Sequence, residues 1–347
     1  MRREPWILLA ALAVMGPAGA AAPEPELASA HAMVIDDATG KVLLAKEPQQ
    51  AAPIASLTKL LTAMVVLDAR LSPKDELRVT DADVDRLKHT RSGVPVGTVL
   101  PRATLLELAL VASDNRATAA LARTYRAGID AFKKAMQRKI RALGLKATHI
   151  EEPTGLSPAN VSSAEDMARV LKAAARYPDI ARWSSRPVSA TTVAGRPWEV
   201  RNTNAWVGMP GWDVMLSKTG YIREAGLCLT MRLRVGERLV NVVLMGAPTA
   251  AERALDVQNI AYWLGGVPLV ARARPAADAA QPVMAAATPA PEAADAGSDA
   301  AAADIVVVPS DLPTVVMTAP AAAAGTEAAP PEAPRPLPVI SDDESRR

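Results

Sequence analysis

The chain of 347 residues has one cysteine, one phenylalanine and three histidines, and aromatic residues make up 3% of it. A single cysteine excludes an intrachain disulfide and any cysteine-rich metal site. Cys228 lies in the apolar run Leu227-Cys228-Leu229, so it is expected to be a small buried hydrophobe rather than a reactive thiol. With so few aromatics, a core must be packed from Leu, Val, Ile, Met and Ala. None of His31, His89 and His149 is followed by a metal-ligand spacing, and no Gly-x-Ser-x-Gly elbow occurs. Serine chemistry would therefore need a base other than the usual elbow-and-histidine arrangement. No basic-aromatic pattern suggests nucleic acid as a partner, and no residue pattern calls for a cofactor or metal.

The chain changes character near Arg274. Beyond it come Ala, Pro, Asp and Glu with few large apolar residues, a composition that cannot bury enough surface to offset chain entropy. Residues 272–347 are expected to form a disordered tail, in which the run after Asp304 is the one candidate docking segment. From residue 275 on, the tail has three basic and eleven acidic residues, net −8, against +2 for the whole chain. The part before it is thus strongly basic, which suits steering of an anionic polymer as well as an ordinary solvated surface.

The first residues have the plan of a secretion leader. Arg2 and Arg3 are followed by an apolar stretch, Trp6 to Met15, too short to span a bilayer, and by Ala18-Gly19-Ala20 as a small-x-small cleavage site. Cleavage after residue 20 would release the protein into the periplasm with no stable membrane anchor.

Between these ends, residues 27–271 read as one catalytic domain. Ala32 to Leu44, broken by Asp36-Asp37-Ala38-Thr39-Gly40, reads as a β-hairpin, and so do Leu227–Val235 and Arg238–Met245 around Gly236-Glu237. Segments 56–70, 104–111, 117–125, 129–143, 164–177 and 251–264 have helical patterning. The expected fold is α+β: an antiparallel sheet, five-stranded, built from the two ends of the domain, with a helical insert.

Three short motifs carry chemistry. Ser56-Leu57-Thr58-Lys59 opens a strongly apolar helix. Residues three apart share a helix face, so Lys59 can reach Ser56. Burial favours the neutral amine, which can take the serine proton. A lone pair of this kind recurs by chance, and a helix N-cap would explain Ser56 equally well. Ser113-Asp114-Asn115 follows a helix at a turn: Ser113 offers a hydroxyl to relay a proton, Asn115 an amide to hold a substrate backbone. Lys218-Thr219-Gly220 ends a strand-like run and is followed by Tyr221. There Lys218 supplies positive charge, Thr219 can bond a carboxylate, and Gly220 lets an extended peptide lie against the strand. The Tyr221 N–H would join that of Ser56 as an oxyanion donor. Each motif alone has a bland explanation; all three, in this order and these contexts, form the set shared by penicillin-binding proteins and class A β-lactamases.

The chain resembles the low-molecular-mass penicillin-binding proteins, in particular the periplasmic D-alanyl-D-alanine endopeptidases, over roughly residues 30–265. The resemblance extends to Pro53–Asp68, Glu152-Pro153-Thr154-Gly155-Leu156-Ser157, Arg201-Asn202-Thr203-Asn204, and Lys218 to Tyr221 with Ala225-Gly226. It implies a β-lactamase/D,D-peptidase-like fold and a serine D,D-peptidase that acylates Ser56 with a D-Ala carbonyl of a peptidoglycan stem and then hydrolyses the ester. Lys59 would be the general base, Ser113 the bridging hydroxyl, Lys218 the substrate-site cation, and β-lactams covalent inhibitors. Arg253 is a candidate partner for a terminal substrate carboxylate. A tail without a second β-rich domain or an amphipathic helix favours the endopeptidase branch over the carboxypeptidases. Asp114 stands where that branch often has Glu, with little consequence expected. The rival β-lactamase reading needs a Glu followed by x-x-Leu-Asn, and neither Glu151 nor Glu152 has it. A non-catalytic wall-binding protein on the same fold is the other alternative. Sequence leaves endopeptidase and carboxypeptidase activity unseparated.

Overall fold

The computed structural model describes residues 23–193 and 195–265. The leader at 1–20, the tail at 272–347 and the run after Asp304 lie outside the described residues.

The first hairpin pairs β1 (His31–Asp36) with β2 (Val42–Lys46). Its turn is fixed by the Asp36 carboxylate, which accepts bonds from the Thr39 N–H (2.9 Å) and hydroxyl (2.8 Å), and by Gly40 at φ +73°. A long middle section follows: β3 (Ala52–Pro53), a 3₁₀ turn at Ala55–Leu57, α1 (Thr58–Asp68), β4 (Glu76–Arg78), β5 (Val99–Pro101), α2 (Arg102–Val111), α3 (Asn115–Arg123), α4 (Gly128–Ala142), β6 (Val161–Ser162), α5 (Ala164–Ala174), α6 (Pro178–Ser184) and the hairpin β7 (Val188–Val193) with β8 (Arg196–Arg201). Three ten-residue strands, β9 (Asp213–Ile222), β10 (Gly226–Val235) and β11 (Arg238–Ala247), and the helix α7 (Ala250–Trp263) complete the domain.

The main sheet has the order β2-β1-β11-β10-β9, with every neighbouring pair antiparallel. Side chains alternate between its faces as a two-residue period requires. Ala32, Val34, Val240, Val242 and Leu244 enter the layer that includes Val257 and Ile260 of α7. Met33, Val243 and Met245 enter the larger core formed by the helical section. The sheet is thus buried on both faces, between α7 and α5. The fold is the expected α+β arrangement.

Helix α1 is the hub of that larger core. Residues 58–66 are all buried, so the helix is enclosed on every side: most of these residues are apolar, and the buried polar ones are Thr58, Lys59 and Thr62. Helices α3, α5 and α7 sit nearer the surface and begin at side-chain caps: Asp114 accepts from Ala117 N–H, Ser163 from Asp166 N–H, and Thr249 from Glu252 N–H.

Three features depart from the sequence reading. Helix α5 stops at Ala174, not Tyr177, because Pro178 forces Tyr177 into extended backbone (φ −100°, ψ 105°) and then starts α6. Neither α6 nor the β7–β8 hairpin shows clear periodicity in the sequence. The strand carrying Lys218 does not end there; β9 continues through Gly220 to Ile222.

The start of the domain is fastened to α7 by Asp256, 2% exposed, which accepts bonds from Ala28 N–H (2.8 Å), Ser29 N–H (2.8 Å) and Ser29 hydroxyl (2.6 Å). Truncating it leaves these donors without an acceptor. Asp256→Ala is expected to lower unfolding free energy by about 2–4 kcal/mol in urea titration; a loss below about 0.5 kcal/mol would show that the contact is not structural.

Candidate active site

Ser56 lies in the 3₁₀ turn that leads into α1, and Leu57 rather than Ser56 occupies the N-cap of that helix. The capping explanation for Ser56 is therefore removed. Its hydroxyl meets the Lys59 amine instead, at 2.7 Å. Preceding it, Ala55 is held at φ +47°, a left-handed conformation costly for a residue with a Cβ.

Lys59 is 1% exposed. Its Nζ has three neighbours at hydrogen-bond distance: Ser56 Oγ, Asn115 Oδ1 and the Thr154 carbonyl oxygen, each 2.7 Å away. As an ammonium, it donates to all three. Loss of one proton leaves two N–H bonds and a lone pair. Asn115 Oδ1 and Thr154 O can only accept, so both hydrogens go to them. The lone pair is then left facing the one neighbour that can donate, the Ser56 hydroxyl. Burial drives the amine toward that neutral form and lowers its pKa to about 8, against the opposing charges of Glu152, Asp114 and Asp85.

The second motif crosses from α2 to α3. Asn115 is engaged at both ends, its oxygen on Lys59 and its Nδ2 donating to Thr90 Oγ1 (2.8 Å). In the unliganded protein it therefore holds the lysine, whereas the sequence alone suggests a substrate backbone as the partner of its amide. Asp114 turns to cap α3 and accepts from the Ser92 hydroxyl. Ser113 sits at φ +58°, and its hydroxyl has no hydrogen-bond partner among the described residues.

The third motif lies inside β9, one of the two edge strands of the main sheet. A Cβ at Gly220 would stand 2.9 Å from Ser56 N and 3.0 Å from Ile54 O, so only glycine lets the strand and the serine turn approach this closely. Lys218, 1% exposed, donates to the Thr219 carbonyl (3.0 Å), while the Thr219 hydroxyl bonds Thr203 Oγ1 (2.6 Å). Burial, then the charges of Lys59 and Arg253, push the Lys218 pKa well down. Tyr221 is exposed. Arg253 is not a surface arginine: it packs toward β10 and donates to the Cys228 carbonyl (3.2 Å). Cys228 is fully buried, with its thiol pKa raised to about 11 by burial, so it is the inert hydrophobe expected.

The loop that places Thr154 has no role legible in its residue types. There the Glu152 carboxylate accepts from Thr154 N–H and hydroxyl, Gly155 N–H, Ser157 N–H and Asn160 Nδ2. Five donors saturate about four lone-pair sites, so Glu152 shapes the loop and has no oxygen free to activate water. Glu151 is bonded to the Ser157 hydroxyl. Gly155, at φ +88°, passes so close to the serine turn that a Cβ would fall 1.9 Å from Ala55 O. The only hint in the sequence was the stretch 152–157 as a point of family likeness.

A family model described as D-alanyl-D-alanine carboxypeptidase, of the S11 peptidases, matches residues 18–249. The D-alanyl-D-alanine endopeptidase of Pseudomonas aeruginosa is 40% identical over 255 residues, covering 72% of this chain and 82% of that protein. That of Escherichia coli is 39% identical over 249 residues, covering 71% and 80%. Among solved structures, a cefotaxime-bound penicillin-binding protein of Listeria monocytogenes superimposes with a TM-score of 0.62 at 25% identity, covering 70% of this chain and 99% of its own. A D,D-transpeptidase of Streptomyces gives 0.65 at 23%, covering 70% and 98%, a likeness of fold.

The close approach at Gly155 yields a sharp test. Gly155→Ala must displace the Ala55–Ser56 turn, so acylation by penicillin is expected to fall by about a hundredfold or more, with a destabilisation of about 1–3 kcal/mol. Acylation and melting temperature both close to wild type would contradict the geometry described.

Proposed function

The chain belongs to the D-alanyl-D-alanine carboxypeptidase family of S11 serine peptidases, and we propose that it hydrolyses D-alanyl bonds of peptidoglycan through an acyl-enzyme on Ser56, with peptide cross-links the favoured target. The observation that carries this reading is the donor count at Lys59. Two pure acceptors claim the hydrogens of the neutral amine and leave its lone pair on the Ser56 hydroxyl.

A stem peptide enters as an extended strand against the outer edge of β9. Ser56 Oγ attacks the D-Ala carbonyl as Lys59 takes its proton. The N–H groups of Ser56 and Tyr221 receive the oxyanion. Ser113, whose hydroxyl has no hydrogen-bond partner among the described residues, relays the proton held by Lys59 to the departing amine. Lys218, Thr219 and Arg253 supply polar groups on the substrate side, and Asn115 keeps the base in place. Water then cleaves the ester. A β-lactam follows the same first step and remains attached. The preference for cross-links rests on the two relatives named endopeptidases. Substrate of this kind places the enzyme in the periplasm, in keeping with the leader read at 1–20. No described helix is long and apolar enough to cross a membrane.

The reading is tested by mass spectrometry of cross-linked muropeptide dimers incubated with the protein. Wild type is expected to convert dimers to monomers, with the rate lost by at least about a thousandfold in Ser56→Ala and in a penicillin-blocked sample. Intact dimers with a terminal D-Ala removed from pentapeptides would make it a carboxypeptidase; turnover by Ser56→Ala would show the nucleophile misassigned.

A further inference from the structure

A primary amide can present either end to a neighbour, and the direction of the Lys59 lone pair depends on which end Asn115 presents. With Oδ1 on Lys59 the amide removes a hydrogen from the amine; with Nδ2 there, it would offer a donor, and the lone pair would turn away from Ser56. Lys59 alone does not decide this, since an ammonium and a neutral amine make different demands on the amide.

The loop between Val84 and Ser92 decides it. The Asp85 carboxylate accepts the Thr90 hydroxyl (2.7 Å) and the Thr90 N–H (2.9 Å). With its hydrogen committed to Asp85, the Thr90 oxygen faces Asn115 with lone pairs only. Asn115 must then donate, and does so through Nδ2 at 2.8 Å. Its oxygen is thereby turned to Lys59, at 2.7 Å. We infer that Asp85 and Thr90 are positioning residues for the reaction: they lock the Asn115 amide so that the neutral Lys59 amine presents its lone pair to Ser56. This rests on the reading of Lys59 as general base.

The loop is built to hold that carboxylate still. Asp85 also accepts from the N–H groups of Leu87 (2.8 Å) and Lys88 (3.1 Å). Burial opposes its ionisation, but the bonds from Thr90, Lys88 and Leu87 outweigh burial and hold its pKa below the usual range. Lys88 is ion-paired to Glu224 in the turn between β9 and β10, which ties the loop to the Lys218 strand. The charges bearing on Lys59 are Asp85 from this loop, Asp114 at the α3 cap and Glu152 from the loop at 152–157, while Lys218 of β9 is itself pushed toward its neutral form by burial and by the charge of Lys59. The three carboxylates favour the ammonium. Removing Asp85 therefore lets Lys59 lose its proton at lower pH.

The test is the rate of Ser56 acylation by benzylpenicillin, followed by mass spectrometry across about pH 6 to 10, for wild type, Thr90→Val, Thr90→Ser and Asp85→Asn, with thermal melts as a folding control. Thr90→Val is expected to acylate about 10- to 100-fold more slowly, and Thr90→Ser, which keeps the hydroxyl, to recover most of that loss. Asp85→Asn is expected to move the rising limb of the profile to lower pH, which a packing defect alone would not do. A Thr90→Val rate within about twofold of wild type, or a Thr90→Ser variant as slow as Thr90→Val, overturns the inference. If Thr90→Val does not fold, Thr90→Ala takes its place, and a rate within about twofold of wild type overturns the inference in the same way. If wild type gains no penicilloyl adduct on Ser56, the underlying reading of the site fails, a result distinct from all of these.

Discussion

The site depends on one physical constraint, the burial of a lysine amine where water cannot solvate its charge. An exposed lysine keeps its proton until about pH 10.4 and is no base at neutral pH. Helix α1 removes Lys59 from solvent by being buried on every side, and its surroundings supply two carbonyl-type acceptors and one hydroxyl in place of water. Three nearby carboxylates oppose the desolvation without cancelling it. The balance leaves the amine titrating near neutral pH, where both its protonated and neutral forms are accessible during a reaction cycle.

Holding that balance requires unusual backbone. Ala55 and Ser113, next to the serine turn and the Asn115 motif, both occupy left-handed conformations without being glycine, each at a cost of about 1–3 kcal/mol. Gly155 and Gly220 supply the complementary absence of side chains, letting the loop at 152–157 and strand β9 close on the serine turn from two sides. The five-stranded sheet and the packed helices on its faces fix these elements against each other, so strain at the site is supported by the core.

How much of this the sequence disclosed follows from the range of the interactions. The pairing of Ser56 with Lys59 is three residues long and needs only a helical turn, so it was legible; both long hairpins were legible from alternation and turn residues. The α+β fold followed from their order. The engagement of Asn115 with Lys59 spans 56 residues in sequence, and Thr154 contributes a backbone carbonyl, which leaves no mark in residue type. Asp85 and Thr90 lie in an irregular loop whose composition resembles many surface loops. Helix α6 is only seven residues long and the β7–β8 hairpin mixes polar with apolar residues on both faces, so neither has a clear period.

What matters most is that Lys59 titrates close enough to physiological pH for its neutral amine to be accessible, and its own titration reports this directly. Heteronuclear NMR of the lysine side-chain carbons next to Nζ, with Lys59→Arg to assign the resonance, reports the protonation state without relying on catalysis. A midpoint of about 8 is expected for this resonance. A midpoint at or above the ordinary lysine value of about 10.4 would mean the amine stays charged in the resting site, and would contradict its role as the base for Ser56.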